Sequence, residues 1–309
     1  MKKRALENVK FFKKPKLFGL GISAILISGC NSGHYHYGAD TVIVTEYVYE
    51  DYGPSSYFYA SSDTYEAYDD ADHILEQEYT GRDLVVFSYG GDDIIDTGSG
   101  DDIIYGGGGD DLIHGHHGFD DIYGESGFDD IYGGSGDDHL DGGSGNDWIY
   151  GGSGDDDLYG GSGNDLMSGG LDIDYLYGEG GDDTFEVYED EFSDLEDYFD
   201  GGSGFDTLQF FAEDPFIPFF LDLSLIDAVD IEVIDLGNFE DEISVELTVD
   251  DVIDITDGYN ELIIEGDSGD EVFSVGEGWF YVGEEAGANV YTFADVTLLV
   301  DEDIPQLIT

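Results

Sequence analysis

From Ser88 to Glu186 the chain repeats one pattern of polar and apolar positions every nine residues, eleven times without a gap. The eighth position is always apolar: Ile95, Ile104, Ile113, Ile122, Ile131, Leu140, Ile149, Leu158, Met167, Leu176 and Phe185. The sixth is always aspartate: Asp93, Asp102, Asp111, Asp120, Asp129, Asp138, Asp147, Asp156, Asp165, Asp174 and Asp183. The fourth is glycine in every repeat but one, where Asp172 stands. One inward apolar residue per nonamer allows only a very short strand, and such strands are stable only when stacked on copies of themselves, roughly 4.8 Å apart. The residues between strands must turn the chain sharply, which calls for glycines that accept positive φ and let backbone approach closely. Two nonamers then make one coil, and each repeat stacks on the next but one.

Outside the repeats the pattern changes. Residues 31 to about 80 are rich in Tyr, Asp, Ser and Glu, and hold one strand-like alternation, Thr41 to Tyr49, without enough apolar neighbours for a core. They read as a mostly flexible spacer or, alternatively, as a tyrosine-rich contact segment. Past residue 186 a further nonamer, Gly201 to Gln209, stands detached behind an acidic aromatic insertion. Strand-like runs follow at Phe216 to Leu223, Ile231 to Leu236, Glu261 to Glu265, Glu271 to Val275 and Val296 to Val300, with one helix near Val249 to Ile255. A coil stack leaves an open end, so a β-rich cap is the expected role of this region.

Charge turns this outline into a chemical problem. Stacking puts the sixth-position aspartates in two columns, and bare carboxylates about 5 Å apart repel by roughly 1 kcal/mol in water and more where the dielectric falls. The chain carries 74 Asp and Glu against 8 Lys and Arg, a formal net charge of -66. No Lys or Arg lies between residues 88 and 186 to relieve the columns. The same charge excludes nucleic acid as a partner and argues against an anionic membrane surface as a target for the body of the protein. Glycine is abundant, at 47 residues, but not at every third position, so collagen is excluded; the apolar fraction of 40% is too high for a fully disordered polyanion. Cations must therefore enter the columns, unless the glycine-rich roll needs no metal. Carboxylates and glycine-exposed carbonyls are hard oxygen donors in a pliable loop, which suits calcium; magnesium demands a tighter octahedron, and zinc asks for Cys or His.

The pattern GGxGxDxUx, as in Gly142-Gly143-Ser144-Gly145-Asn146-Asp147-Trp148-Ile149-Tyr150, resembles the RTX, or haemolysin-type, calcium-binding nonapeptide. The resemblance implies an all-β fold: a parallel β-roll (RTX solenoid) of eleven nonamers, a β-rich C-terminal capping region like that of large bacterial RTX proteins, and a flexible N-terminal tether. It implies Ca2+ held between successive turns by the eleven sixth-position aspartates together with Gly133, Gly136, Gly142, Gly145, Gly151 and Gly154 of the most regular turns as metal-site residues. Eleven repeats stacked in this way leave nine inter-turn places, five in one column and four in the other. Departures weaken some of them: Asp172 at a glycine position, His116 and His117 in the fourth turn, and Ser88 and Thr97 opening the first two repeats. The stretch from Gly124 to Asp165 is the most regular.

The termini carry addresses. Seven of the eight basic residues lie in the first sixteen positions and precede the apolar run Leu17 to Gly29, too short to span a bilayer as a helix. This reads as a secretory signal; a short membrane-anchored or buried helix is the other reading. The run ends on Leu26-Ile27-Ser28-Gly29-Cys30, which resembles a bacterial lipobox and makes Cys30, the only cysteine, the expected lipidation site and first mature residue. Asn31 resembles the second residue of lipoproteins sent to the outer membrane. The acidic, apolar C-terminus resembles the uncleaved export signal of RTX proteins, but the N-terminal signal is the more explicit. The expected division is signal peptide 1–29, tether 30–82, calcium-binding roll 83–186 and C-terminal region 187–309. The expected location is the outer membrane or cell surface, or else the extracellular medium, with membrane contact only through lipid on Cys30.

No enzyme motif survives this reading. The chain has no HExxH and no GxSxG elbow. Gly266-Asp267-Ser268-Gly269 looks like a serine-protease nucleophile segment, but its neighbours read as a repeated turn. A secreted hydrolase with an unrecognised C-terminal site is the alternative to a structural or adhesive protein, and a passive surface calcium buffer is a third. His114, His116 and His117 are close enough to bind a transition metal, although an irregular outward turn is the preferred account. Tyrosine fills the ninth position at Tyr105, Tyr123, Tyr132, Tyr150, Tyr159 and Tyr177. These rings are expected to stack for stability rather than to bind, with surface glycans or other envelope components as possible partners. Ordered threonine rows for ice binding are missing.

Overall fold

The computed structural model describes residues 81–188, 197–211, 219–237, 243–256, 261–266, 270–274, 279–285, 287–294 and 296–308. It also describes the strand segments Lys10–Phe11, Ile22–Leu26, Val42–Tyr47, Ser56–Tyr59, Thr64–Glu66 and Asp72–Leu75. Two compact units, Met1–Gly142 and Gly143–Thr309, follow one plan. The fold is nearly all β. Among the described residues the exceptions are the helix Val249–Thr256, where the sequence places one, and a single 3-10 turn, Leu223–Leu225. No described helix is long and apolar enough to cross a membrane.

In the first unit the nonamers form parallel strands in register at an interval of two repeats. Val85–Phe87, Ile103–Gly108 and Asp121–Ser126 make one stack, in which Val86 pairs with Ile104 and Ile104 with Ile122. Ile94–Asp96, Leu112–His117 and Asp130–Ser135 make the other, with Ile95 opposite Ile113 and Ile113 opposite Ile131. The eighth-position side chains meet inside: Ile95, Ile104, Ile113, Ile122, Ile131 and Leu140 are fully buried. Each such residue contributes about 1.5–3 kcal/mol by leaving water.

The strands are longer than one inward residue per nonamer suggests. Ile103–Gly108 runs through the seventh, eighth and ninth positions and on into the first three of the next repeat. The ladder also reaches back into the segment expected to be tether. Thr64–Glu66 lies parallel to Val85–Phe87, and Asp72–Leu75 lies parallel to Ile94–Asp96, with Ile74 buried opposite Ile95. Ile22–Leu26, within the expected export signal, is a strand antiparallel to Val42–Tyr47. Cys30 lies outside the described residues.

The second unit has a ladder of the same kind, which runs well past the last regular repeat. Trp148–Ser153, Leu166–Leu171, Thr184–Tyr188, Thr207–Phe211, Val233–Asp235, Glu261–Glu265 and Val296–Asp301 pair successively in parallel. Opposite them stack Asp157–Ser162, Tyr175–Gly180, Tyr198–Asp200 and Asp227–Val229. The nonamer at 201–209, detached in sequence, is therefore continuous in space: Leu208 takes the place above Phe185 that a regular repeat would fill. A third parallel set, Phe219–Asp222, Ile243–Leu247, Glu271–Ser274 and Gln306–Leu307, lies in the C-terminal region. The antiparallel hairpin Phe280–Glu285 and Ala288–Phe293 pairs onto Val296–Asp301. The C-terminal region thus extends the coil before it closes it.

Candidate metal centre

Within each unit the sixth-position aspartates are held by the coil before them. In the first unit the main-chain N–H groups of Asp93, Asp102, Asp111 and Asp120 donate to Oδ1 of Asp111, Asp120, Asp129 and Asp138, each at 2.8 Å. In the second unit Asp147, Asp156, Asp165 and Asp183 donate in the same way to Asp165, Asp174, Asp183 and Asp206 at 2.8 Å, and Asp174 donates to Asp197 at 2.9 Å. The side chains of the column are 7% exposed or less.

A second ladder runs the opposite way and was not anticipated from the sequence. The fifth-position side chain reaches forward to the next coil: Oδ1 of Asp92 accepts from Asp110 N–H and Oδ1 of Asp101 from Phe119 N–H, both at 3.1 Å, and Oδ1 of Asn164 accepts from Asp182 N–H at 3.1 Å. The signal was present as Asp or Asn at the fifth position of most repeats. Adjacent acids thus serve opposite neighbours, one backward and buried, one forward and at the surface.

The other oxygen of the sixth-position carboxylate identifies the functional feature. For Asp111, Asp120, Asp165, Asp174, Asp183 and Asp206, Oδ2 is buried and has no hydrogen-bond partner among the described residues. Burying an ionised oxygen without compensation costs several kcal/mol. Burial, reinforced by neighbouring carboxylates, accordingly pushes the Asp111 and Asp120 carboxyls up to about 8 against the ordinary value of 3.8. Burial likewise pushes Asp174, Asp183 and Asp206 up to about 7 and Asp165 up to about 6.

Glycine at the first position keeps a small space open beside this oxygen. A Cβ on Gly124 would stand 2.5 Å from Asp129 Oδ2 and 2.7 Å from the Gly142 carbonyl oxygen; one on Gly160 would stand 2.6 Å from Asp165 Oδ2 and 3.1 Å from the Gly178 carbonyl. A carboxylate oxygen and a main-chain carbonyl therefore converge where a side chain is forbidden. Among the described residues no three His, Cys, Asp or Glu side chains are placed to share a metal. The donor set is thus one of carboxylates supplemented by carbonyls, hard oxygens only, and fits calcium better than a transition metal.

The expected glycines divide by role. Gly133 and Gly142 carry the carbonyls that approach Gly115 and Gly124, and Gly151 occupies the same first position beside Asp156 Oδ2. Gly136, Gly145 and Gly154 have φ of 126°, 149° and 124°, and so supply the turn. The departures take recognisable forms. Asp172 adopts the left-handed conformation of the glycine it replaces, at φ 82°, and His116 does so at φ 75°, each at about 1–2 kcal/mol. Ser88 and Thr97 replace first-position glycines and donate their hydroxyls to the carbonyls of Gly106 and Gly115. In the first two turns a hydroxyl therefore engages the carbonyl that lies beside the carboxylate elsewhere.

The histidines are placed otherwise. His114 stacks on Tyr132 at 4.7 Å and on His116 at 5.5 Å, His116 Nε2 lies 3.2 Å from Asp96 Oδ1, and His117 Nδ1 is 2.6 Å from Ser135 Oγ. They sit at the end of the strand Leu112–His117 rather than in an irregular turn. Tyr105 stacks on Tyr123 at 5.0 Å and 9°, and Tyr159 on Tyr177 at 4.9 Å and 11°. These rings cover one another's faces, the arrangement expected of strand-stabilising ladders. Ser268 lies outside the described residues.

The haemolysin-type family model described as RTX calcium-binding nonapeptide repeat (4 copies) matches residues 87–122, 117–149, 132–167 and 159–187. No curated protein matches the chain.

Proposed function

Residues 87–187 are RTX calcium-binding nonapeptide repeats, and from that premise we propose that the chain is a structural or adhesive protein, envelope-anchored or secreted, that folds on meeting extracellular calcium. RTX nonapeptide repeats bind Ca2+, proteins that carry them are typically extracellular or surface-exposed, and the repeat family is typically structural rather than catalytic. The observation that carries the reading is the set of buried Oδ2 atoms, those of Asp111, Asp120, Asp165 and Asp183, that lack a hydrogen-bond partner among the described residues and lie beside a first-position glycine and a main-chain carbonyl.

In this reading the ions are held by the sixth-position aspartates from Asp93 to Asp183 together with first-position carbonyls such as those of Gly133 and Gly142. Bound calcium would supply the positive charge that the buried carboxylates lack. Residues 1–29 serve as the export signal, lipid on Cys30 ties the chain to the outer membrane, and the residues between it and the coil strands Thr64–Glu66 and Asp72–Leu75 space the roll from the lipid. Glycans or other envelope components are the proposed surface partners. The exposed Phe119 and Trp148 suit such contacts better than the stacked tyrosines, whose faces are covered.

Equilibrium dialysis against calcium, with growth in labelled fatty acid as a second arm, tests both halves. Several ions bound per chain, and label on the wild type but not on Cys30→Ala, are the expected results. A chain that binds no calcium removes the first half; label retained by Cys30→Ala removes the second.

A further inference from the structure

The carboxylate ladder does not end in a nonapeptide. Asp206, in the nonamer at 201–209, is 1% exposed; its Oδ1 accepts the Asp183 N–H at 2.8 Å, and its Oδ2 is buried without a hydrogen-bond partner among the described residues. In the regular coils the amide of such an aspartate donates to the aspartate of the next coil. Here the Asp206 N–H donates instead to Glu232 Oε2 at 2.9 Å, and Glu232 is itself 5% exposed.

The carbonyl side of the turn is replaced as well. A Cβ on Gly178 would stand 2.6 Å from the Gly201 carbonyl, the regular first-position arrangement. At Gly201, whose own Cβ would stand 2.6 Å from Asp206 Oδ2, the facing carbonyl belongs to Asp230, a residue at φ 53°. The five-residue step from Gly201 to Asp206 is thus shortened to the two-residue step from Asp230 to Glu232. The extra methylene of glutamate makes up the lost reach. Beyond it the ladder stops: Ile263 N–H donates to the Glu232 carbonyl at 2.8 Å, as Thr207 N–H does to the Asp183 carbonyl, and this register puts the buried, apolar Leu262 where the next carboxylate would stand.

We propose that this turn is a further divalent-cation site, of the hard oxygen-donor class that takes calcium, formed by Asp206, Glu232 and the Asp230 carbonyl outside the residues matched by the repeat family. It rests on the calcium reading of the roll and ends the column with a glutamate, giving Asp206, the last aspartate of the column, a cation on its far side. A turn that is not a nonapeptide then completes the roll.

The test counts calcium ions bound by the full chain in the wild type, Glu232→Gln and Asp165→Asn, and follows amide exchange with and without calcium. E232Q should bind one ion fewer, and its amides at 201–209 and 230–236 should lose the slowing by calcium that those at 124–167 keep. An E232Q chain that binds as many ions as wild type, with 201–236 slowed as before, overturns the proposal while D165N still loses ions. If D165N also keeps the full count, the calcium reading of the roll fails, and the proposal with it. Should E232Q not reach the calcium-loaded far-UV spectrum, Glu232→Asp decides. It should fold and bind its last ion about tenfold more weakly; wild-type affinity for every ion would overturn the proposal.

Discussion

Each sixth-position aspartate uses its two oxygens for different ends. Oδ1 accepts a main-chain N–H and so locks one coil to the next, while in Asp111, Asp120 and Asp165 Oδ2 is carried into the interior with no hydrogen-bond partner among the described residues. The pH behaviour of the metal-free chain follows. With the folded carboxyls pushed up to between about 6 and about 8 and an unfolded value near 3.9, the folded form holds more protons than the unfolded form across pH 4 to 8. Its stability therefore falls as pH rises through that window. In chelator the β-sheet signal in circular dichroism should be greater at pH 4.5 than at pH 8, and calcium should abolish the difference. Asp165→Asn separates the two oxygens. The amide keeps the acceptor for Asp147 N–H and replaces the bare oxygen with a donor, so the variant should be more stable than wild type in chelator and bind calcium more weakly, as calorimetry can read.

At the scale of the element, the repeat was legible because three of its nine positions carry separate physical demands. Burial fixes the eighth, the inter-coil bond fixes the sixth, and left-handed backbone fixes the fourth. What the sequence hid is where these demands are met by other residues. Asp197 follows Asp174 by 23 residues rather than 18 and receives the same main-chain bond, but no glycine-rich turn at the regular spacing precedes it. The fifth-position ladder was overlooked because aspartate beside aspartate reads as one acidic cluster until the coil shows them serving opposite neighbours. Two substitutions test this level. Asp172→Gly removes the cost of φ 82° and should raise stability in calcium by about 1 kcal/mol, read by chemical denaturation. Gly160→Ala would place its methyl 2.6 Å from Asp165 Oδ2 and should lower the melting temperature in calcium by several degrees.

For the whole molecule, the net charge of -66 divides into a buried ligand set and a solvated remainder. Screening by simple salt acts on the exposed part, over about 8 Å at physiological ionic strength, but cannot supply a partner to a carboxylate oxygen sealed beside glycine. Sodium chloride at matched ionic strength should therefore fail to replace calcium. Burial of the eighth-position residues alone is an insufficient drive while the columns remain charged, and so folding should be coupled to binding. The most direct test is a far-UV circular dichroism titration of the full chain at pH 7.5, begun in chelator and at constant ionic strength. The expected record is an unfolded spectrum that turns cooperatively into a β-sheet spectrum as calcium is added. A β-sheet spectrum already complete in chelator would contradict the account.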